Sequence, residues 1–300
     1  MLTLSPADLE RELDAVAATG ASWLRVLFDW NLIEPSKGQY QWAVVDRIVD
    51  AAAARDLRVL GNIAFTPGWA RGPQSFFTAP PDNPDDFGAF ATAVVEHFGS
   101  RVSDWEIWNE PNLPLFWGFQ GNAAPRYTEL LKAAYVAIKD AQPSSTVVSA
   151  GLSRAVGGHS PPSFMTQMYA AGAKGYFDAA AMHPYVFPGG LAVDPENGWS
   201  DVGRVREVMV ANGDGGKKIW MTEFGAPTSD PGAEGVSQQQ QARQITDILW
   251  AASELPYSGP AFIYSIRDLD SGARGNREAN FGALLTSDWQ PKVAASVLAR

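Results

Sequence analysis

The chain has 300 residues, 46% of them hydrophobic, with no cysteine and a formal charge of −10. That size and composition fill one large α/β core, so residues 1–300 are expected to form a single domain. The acidic balance, without any basic stripe, excludes a nucleic-acid backbone as partner, and the lack of thiols excludes disulfides, thiolate nucleophiles and cysteine-held zinc.

Short apolar runs alternate with amphipathic stretches along the whole chain, the rhythm of βαβ units. The opening "MLTLSPADLE" has neither a basic start nor a long apolar run, and no later stretch reaches the roughly 18 apolar residues of a membrane span. A soluble protein is expected, and a secreted one where a leader has been removed upstream. Ser5, Pro6 and Asp8 open a helix that buries Leu9, Leu13 and Val16 and ends at Gly20. Strands are predicted in "SWLRVLF" from Ser22, "LRVLGNIA" from Leu57, "VSDWEIW" from Val102, "STVVSAG" from Ser145, "FDAAAMH" from Phe177, "KIWMTEF" from Lys218 and "PAFIYSI" from Pro260. Between them the 3.6-residue period places helices around Val44–Ala52, after Asn83, over Ala124–Asp140, Pro161–Ala171, Ser200–Ala211 and Ser237–Glu254, and finally over Pro291–Arg300.

This pattern of seven strands and eight helices fits a (β/α)8 barrel, the TIM barrel, whose first strand is missing or truncated before Met1. "MLTL" is too short to supply it. A vacancy of that kind invites a strand from another chain, so a homo-oligomer is one expectation.

Active sites of such barrels lie at the C-terminal ends of the strands. Two predicted strands end in glutamate: "WEIWNEPN" carries Glu110, and "IWMTEFG" carries Glu223. Three strands apart, they face one another across the mouth. Glycoside hydrolysis needs that pair, one carboxyl giving a proton to the leaving oxygen and the other stabilising or attacking an oxocarbenium-like carbon. Asn109 and Trp108 adjoin Glu110, whereas Arg25 is a candidate donor to Glu223, which assigns Glu110 as acid/base and Glu223 as nucleophile. For a retaining mechanism the two carboxyl groups should lie roughly 5 to 5.5 Å apart.

"WEIWNEPNLPLFW" resembles the acid/base signature of clan A retaining glycoside hydrolases, and its "NLPLFW" is most similar to family 39, which holds β-xylosidases and exopolysaccharide hydrolases. The likeness continues through "WLRVLFDWNLIEPSKGQYQW", "AFTPGWA", "MHPY" and "WMTEFG". It implies a (β/α)8 fold, retention of configuration through a glycosyl-enzyme, and an oligosaccharide, polysaccharide or glycoside as substrate. Residue by residue it implies that Arg25 bonds the nucleophile, that Asn109 holds a sugar 2-hydroxyl, and that His183 and Tyr185 line the cleft. In "FIYSIRD", Tyr264 stands where the clan usually has a tryptophan floor.

Trp69 and Trp117 follow strand ends and are candidate sugar platforms; Trp30 is a third, with packing of its own turn as the competing reading. Trp23, Trp105 and Trp250 read as structural, as do Asp104 and Glu106. His97, His159 and His183 have no metal-ligand spacing, and "RDLDSGARGNREANFG" lacks a calcium-loop pattern, so no metal and no cofactor are expected. Strict alternation through "DWEIWN" places Asp104, Glu106 and Trp108 on one side of the strand and Trp105, Ile107 and Asn109 on the other. The alternative to an enzyme is a catalytically silent carbohydrate-binding barrel.

Overall fold

The computed structural model describes residues 1–299. Its seven strands are β1 (Trp23–Asp29), β2 (Arg58–Ala64), β3 (Asp104–Ile107), β4 (Thr146–Ser153), β5 (Ala179–His183), β6 (Lys218–Phe224) and β7 (Ser258–Ile263). They form one parallel sheet in chain order. Because all run the same way, every C-terminal end opens on one rim. The sheet curls until its first and last strands approach: Trp23 packs edge-on to Phe262, ring centres 6.1 Å apart, and to Trp220 at 5.4 Å. Among the described residues no hydrogen-bonded ladder joins β1 to β7.

The helices are α1 (Pro6–Ala17), α2 (Trp30–Ile33), α3 (Ala43–Ala53), α4 (Pro84–Phe98), α5 (Ala123–Ala141), α6 (Pro161–Ala170), α7 (Ser200–Ala211), α8 (Gln238–Ser253) and α9 (Val293–Leu298). Their starts obey local chemistry. Ser5 accepts from the Asp8 amide, Asn83 accepts from Asp85 ahead of Pro84, and Ser237 with Gln240 forms a capping box. The short α2 was not expected; Asp29 caps it through the Leu32 amide. The last expected helix ran to Arg300, which lies outside the described residues.

Two apolar compartments result. Between sheet and helices, Phe28 and Trp105 meet edge-on at 5.2 Å and pack with Phe98 of α4. Each such fully buried ring contributes about 2–3 kcal/mol of transfer free energy. Inside the curl, Leu60, Val148, Ala179, Ala181, Trp220 and Phe262 form a smaller cluster, covered by Trp23. This inner plug closes the end opposite the strand C-termini and leaves polar side chains to fill the mouth. Trp250 corrects one expectation: on the outer face of α8 it is 68% exposed and has no place in the core. No described helix is long and apolar enough to cross a membrane.

Candidate active site

Arg25 reaches the interior because β1 alternates: Leu24, Val26 and Phe28 go to the helices, and Arg25 goes inward. Its Nε donates to Glu106 Oε2 at 2.5 Å, Nη1 to Glu223 Oε1 at 2.6 Å and Nη2 to Asn109 Oδ1 at 2.9 Å. One guanidinium thus ties three strand ends together. A planar fork with five fixed donors can serve three acceptors where an ammonium would serve them poorly.

Glu106 is fully buried on β3. Besides Arg25 it accepts from Asn62 Nδ2 at 3.2 Å, the Gly151 amide at 3.1 Å and Thr222 Oγ1 at 2.7 Å. Beyond Ile107 the strand alternation fails. Trp108 has φ of +73°, which turns its indole outward onto Phe65, Phe87 and Trp117 and returns Asn109 to the side that Glu106 occupies. Strict alternation had put Asn109 on the opposite side, and the left-handed backbone is the reason it does not hold. Asn62 Nδ2 at 2.7 Å from the Trp108 carbonyl and the Trp108 indole donating to the Phe116 carbonyl at 2.9 Å hold the turn. Glu110 follows with φ of +46°, its amide on the Gly151 carbonyl.

His183 ends β5, and its Nδ1 stands 2.7 Å from Glu110 Oε1 and 3.6 Å from Glu223 Oε2. Its Nε2 stands 3.1 Å from Thr222 Oγ1. Gly151 makes this approach feasible: a Cβ there would sit 2.0 Å from His183 Nε2 and 2.7 Å from Thr222 Oγ1. On β6 the register to β7 shifts between Met221 and Phe224, and both Thr222 and Glu223 reach the interior. The Tyr185 hydroxyl donates to Glu223 Oε2 at 2.8 Å. Tyr264 packs edge-on to Tyr185 at 6.5 Å and against Phe281, and its peptide to Ser265 is cis.

The electrostatics differ between the two acids. Burial alone would raise the pKa of Glu223, but His183, Arg25 and the Tyr185 hydrogen bond outweigh it and hold this carboxyl below its ordinary value. Burial likewise opposes charge on Arg25 and His183; the carboxylates of Glu106 and Glu223 hold Arg25 above its usual range, and Glu223 with Glu110 does the same for His183. Burial, then the neighbouring Glu223 charge, pushes the Tyr185 and Tyr264 phenols upward, so both are donors at neutral pH.

The structure therefore brings Arg25, Asn109, Glu110, His183, Tyr185, Glu223 and Tyr264 to one rim. It does not bring Trp117 with them: that ring is 1% exposed, wedged between Trp108 and Tyr127, with no face left for a sugar. Trp30 is buried too, donating to Glu34 Oε2. Trp69 is half-buried, its indole N–H bound to the Glu34 carbonyl and Lys37 5.1 Å from its ring. Two residues of the site, Glu106 and Thr222, escaped the sequence reading. The inward phase of Glu106 relative to Arg25 was the signal that could have found the first; a threonine in a buried strand carries none.

Among the described residues, Glu110, His183 and Glu223 form a group whose ligand atoms lie within 4.8 Å of one another, close enough to hold a metal ion. A metal on His183 Nδ1 would displace the hydrogen bond to Glu110, so the two arrangements compete.

A family model described as cellulase, glycosyl hydrolase family 5, matches residues 5–255. The chain belongs to that family. Its relatives also include the expected family 39. A family 39 glycoside hydrolase from the gut symbiont Bacteroides cellulosilyticus superposes with a TM-score of 0.77 at 24% identity, over 99% of this chain and 61% of the other. A monomeric β-xylosidase from Caulobacter crescentus gives a TM-score of 0.71 at 22% identity, over 98% and 65%. These likenesses show the fold. In sequence, a β-xylosidase of Geobacillus stearothermophilus is 32% identical over 117 residues, 35% of this chain and 23% of the relative. The chain thus spans under two thirds of these two structures, and the sequence match under a quarter of the curated relative.

Proposed function

We propose that residues 1–300 form one catalytic unit that hydrolyses glycosidic bonds with retention of configuration. The observation that carries this is the convergence of Glu110 and Glu223, from strands three apart, with an oxygen of each within 4.8 Å of the other. Retaining enzymes hold their carboxyl groups about 5 to 5.5 Å apart, and so close an approach of two oxygens fits that spacing. The asymmetry of the pair supports the same reading. Glu223 receives Arg25 and Tyr185, donors that keep it an anion, whereas among the described residues the Glu110 carboxyl meets only the imidazole of His183.

In the first step a Glu223 oxygen attacks the anomeric carbon, the glycosidic C–O bond breaks, and Glu110 transfers its proton to the departing oxygen. In the second step a water attacks the same carbon, gives a proton to Glu110, and the bond to Glu223 breaks. Asn109, fixed by Arg25, presents its amide N–H2 to the sugar hydroxyl beside the anomeric carbon, and Tyr264 offers an aromatic edge and a hydroxyl to the ring.

The test is hydrolysis of a panel of aryl glycosides, led by β-xylosides because two relatives are β-xylosidases, with cello-oligosaccharides for the family match. Glu223→Ala is the control, and NMR of the first-formed product reports the anomer. Wild-type turnover above the Glu223→Ala background, with the anomer retained, is expected. Equal rates for both proteins on every member would overturn the hydrolase reading and leave a carbohydrate-binding barrel.

A further inference from the structure

We infer that Glu106, which touches neither carboxyl group of the reacting pair, is a positioning residue that fixes where the proton of Glu110 resides, acting through Thr222 and His183. The inference rests on the glycosidase reading for its consequence in catalysis, but its physical core is a chain of hydrogen bonds whose directions can be worked out.

The chain starts at a carboxyl group with no exposed surface. Four groups face it, from four strands: Arg25 Nε on β1, Asn62 Nδ2 on β2, the Gly151 amide on β4 and Thr222 Oγ1 on β6. Three of these are obligate donors, and the Asn62 amide is oriented by the Trp108 carbonyl that its other hydrogen meets. A carboxylate with an ion pair at 2.5 Å and donors on both oxygens has acceptor capacity only, so Thr222 must give its single hydroxyl hydrogen to Glu106. Having spent it, Thr222 Oγ1 can only accept from His183 Nε2 at 3.1 Å. Nε2 therefore carries hydrogen.

That settles the tautomer. Nδ1 at 2.7 Å from Glu110 Oε1 shares one further proton with this carboxyl: either Nδ1–H donates to the carboxylate, or the carboxylic acid donates to Nδ1. In both forms the His183–Glu110 dyad holds the proton that the leaving oxygen needs. The charged groups around the dyad are Glu223 and Arg25, with the neutral phenols of Tyr185 and Tyr264 beside them, and burial and Arg25 are outweighed by the carboxylates, which leave His183 easier to protonate than a free imidazole.

If the direction of the Thr222 hydrogen were reversed, Nε2 would become the acceptor and Nδ1 would bear the only ring hydrogen. Glu110 would then be a bare carboxylate receiving a bond from neutral histidine, and the dyad would be one proton short. Glu106→Gln produces this reversal. Its amide oxygen is drawn to Arg25, which turns the NH2 toward Thr222 and makes Thr222 an acceptor there and a donor to His183. Thr222→Val removes the relay atom and leaves Arg25 with its partners, whereas Thr222→Ser restores the hydroxyl.

Two measurements on the full chain test this. Nitrogen-15 NMR of histidine-labelled protein, with only His97, His159 and His183 to resolve, reads the tautomer. Hydrogen on Nε2 of His183 is expected in the wild type and in Thr222→Ser, and a shift toward hydrogen on Nδ1 in Thr222→Val and Glu106→Gln. Kinetics then compare a dinitrophenyl glycoside, whose leaving group needs no proton, with an alkyl glycoside, whose leaving group does. Thr222→Val should lower kcat/KM for the alkyl substrate by about a hundredfold, within the usual contribution of a general acid, while the dinitrophenyl substrate changes severalfold at most. Retention of Nε2–H in Thr222→Val, or equal losses on both substrates, overturns the relay. Should the wild type hydrolyse no glycoside, the hydrolase reading fails, and the tautomer result still decides the relay by itself.

Discussion

Replacing Arg25 by methionine removes the cation that bonds Glu106 and Glu223 together, at 2.5 and 2.6 Å. Glu106 has no exposed surface from which to recruit water, and the Glu223 side chain keeps only 14% exposure. Breaking a buried pair from one side costs about 3–5 kcal/mol, because the abandoned charge stays buried. The loss at pH 7 should fall in that range, well below twice it, since Thr222, Asn62, Gly151 and Tyr185 still donate to the two carboxylates. The penalty should also shrink in acid. In the wild type, Arg25 helps hold the folded pKa of Glu223 below its unfolded value, so that stability is present above the unfolded value and is lost as pH falls through the folded one. Without Arg25 the buried Glu223 carboxyl is protonated more readily, and the variant gains relative to the wild type as pH drops toward about 4.3. Urea unfolding followed by tryptophan fluorescence at pH 7 and pH 4.5 measures both quantities. A penalty under about 1 kcal/mol at pH 7, the range of an exposed ion pair, or a penalty that widens in acid, would refute the reasoning.

Tyr185→Phe removes the hydroxyl bond to Glu223, and a bond to a charged group contributes roughly 1.5–3 kcal/mol; kcat/KM on aryl glycosides should drop about ten- to a hundredfold with unchanged circular dichroism, and a loss under twofold would count against the assignment. Gly151→Ala places a methyl against His183 and Thr222; turnover should collapse while a calorimetric unfolding transition persists, and full activity would show that the close approach is not required. The pH profile of kcat/KM should be a broad bell: Glu223, held low, puts the acid limb below about 4.3, and His183, held high, puts the alkaline limb above about 6.5. The His183 contribution to stability is full below its unfolded value and is lost as pH rises through its folded one, so unfolding free energy should peak between the same limits. An alkaline limb below pH 6 would contradict this.

Much of this was legible in the sequence because it is periodic or terminal. All seven strands were found, since β-branched runs between capped helices have few other uses, and Glu110 and Glu223 stood out as acids at the ends of buried strands. Arg25 was read as a candidate donor to Glu223 from another strand and, through the family resemblance, as its partner. The turn at Trp108 was not legible: tryptophan has no preference for positive φ, and it is held by tertiary bonds, from Asn62 to its carbonyl, from its amide to Ile63 and from its indole to Phe116. Trp117 misled for a related reason, as an indole behind a strand end looks the same whether a loop folds over it or leaves it open. Glu106 was read as structural because a buried acid shows its value only when the partners that reach it, from strands up to 116 residues away, are known.

Arg25 and Glu223 are separated by 198 positions. During synthesis at roughly 5 to 20 residues per second, the arginine emerges some ten to forty seconds before the carboxylate that completes its set of partners. Until then the amino-terminal strands hold a cation matched only by Glu106 and Asn109, and the rim has no sixth strand to lean on. The nascent chain has little reason to commit early. Completion of the rim therefore waits for β6, and a translation pause before Lys218 would prolong the interval in which Arg25 lacks Glu223, whereas a pause after Glu223 would not.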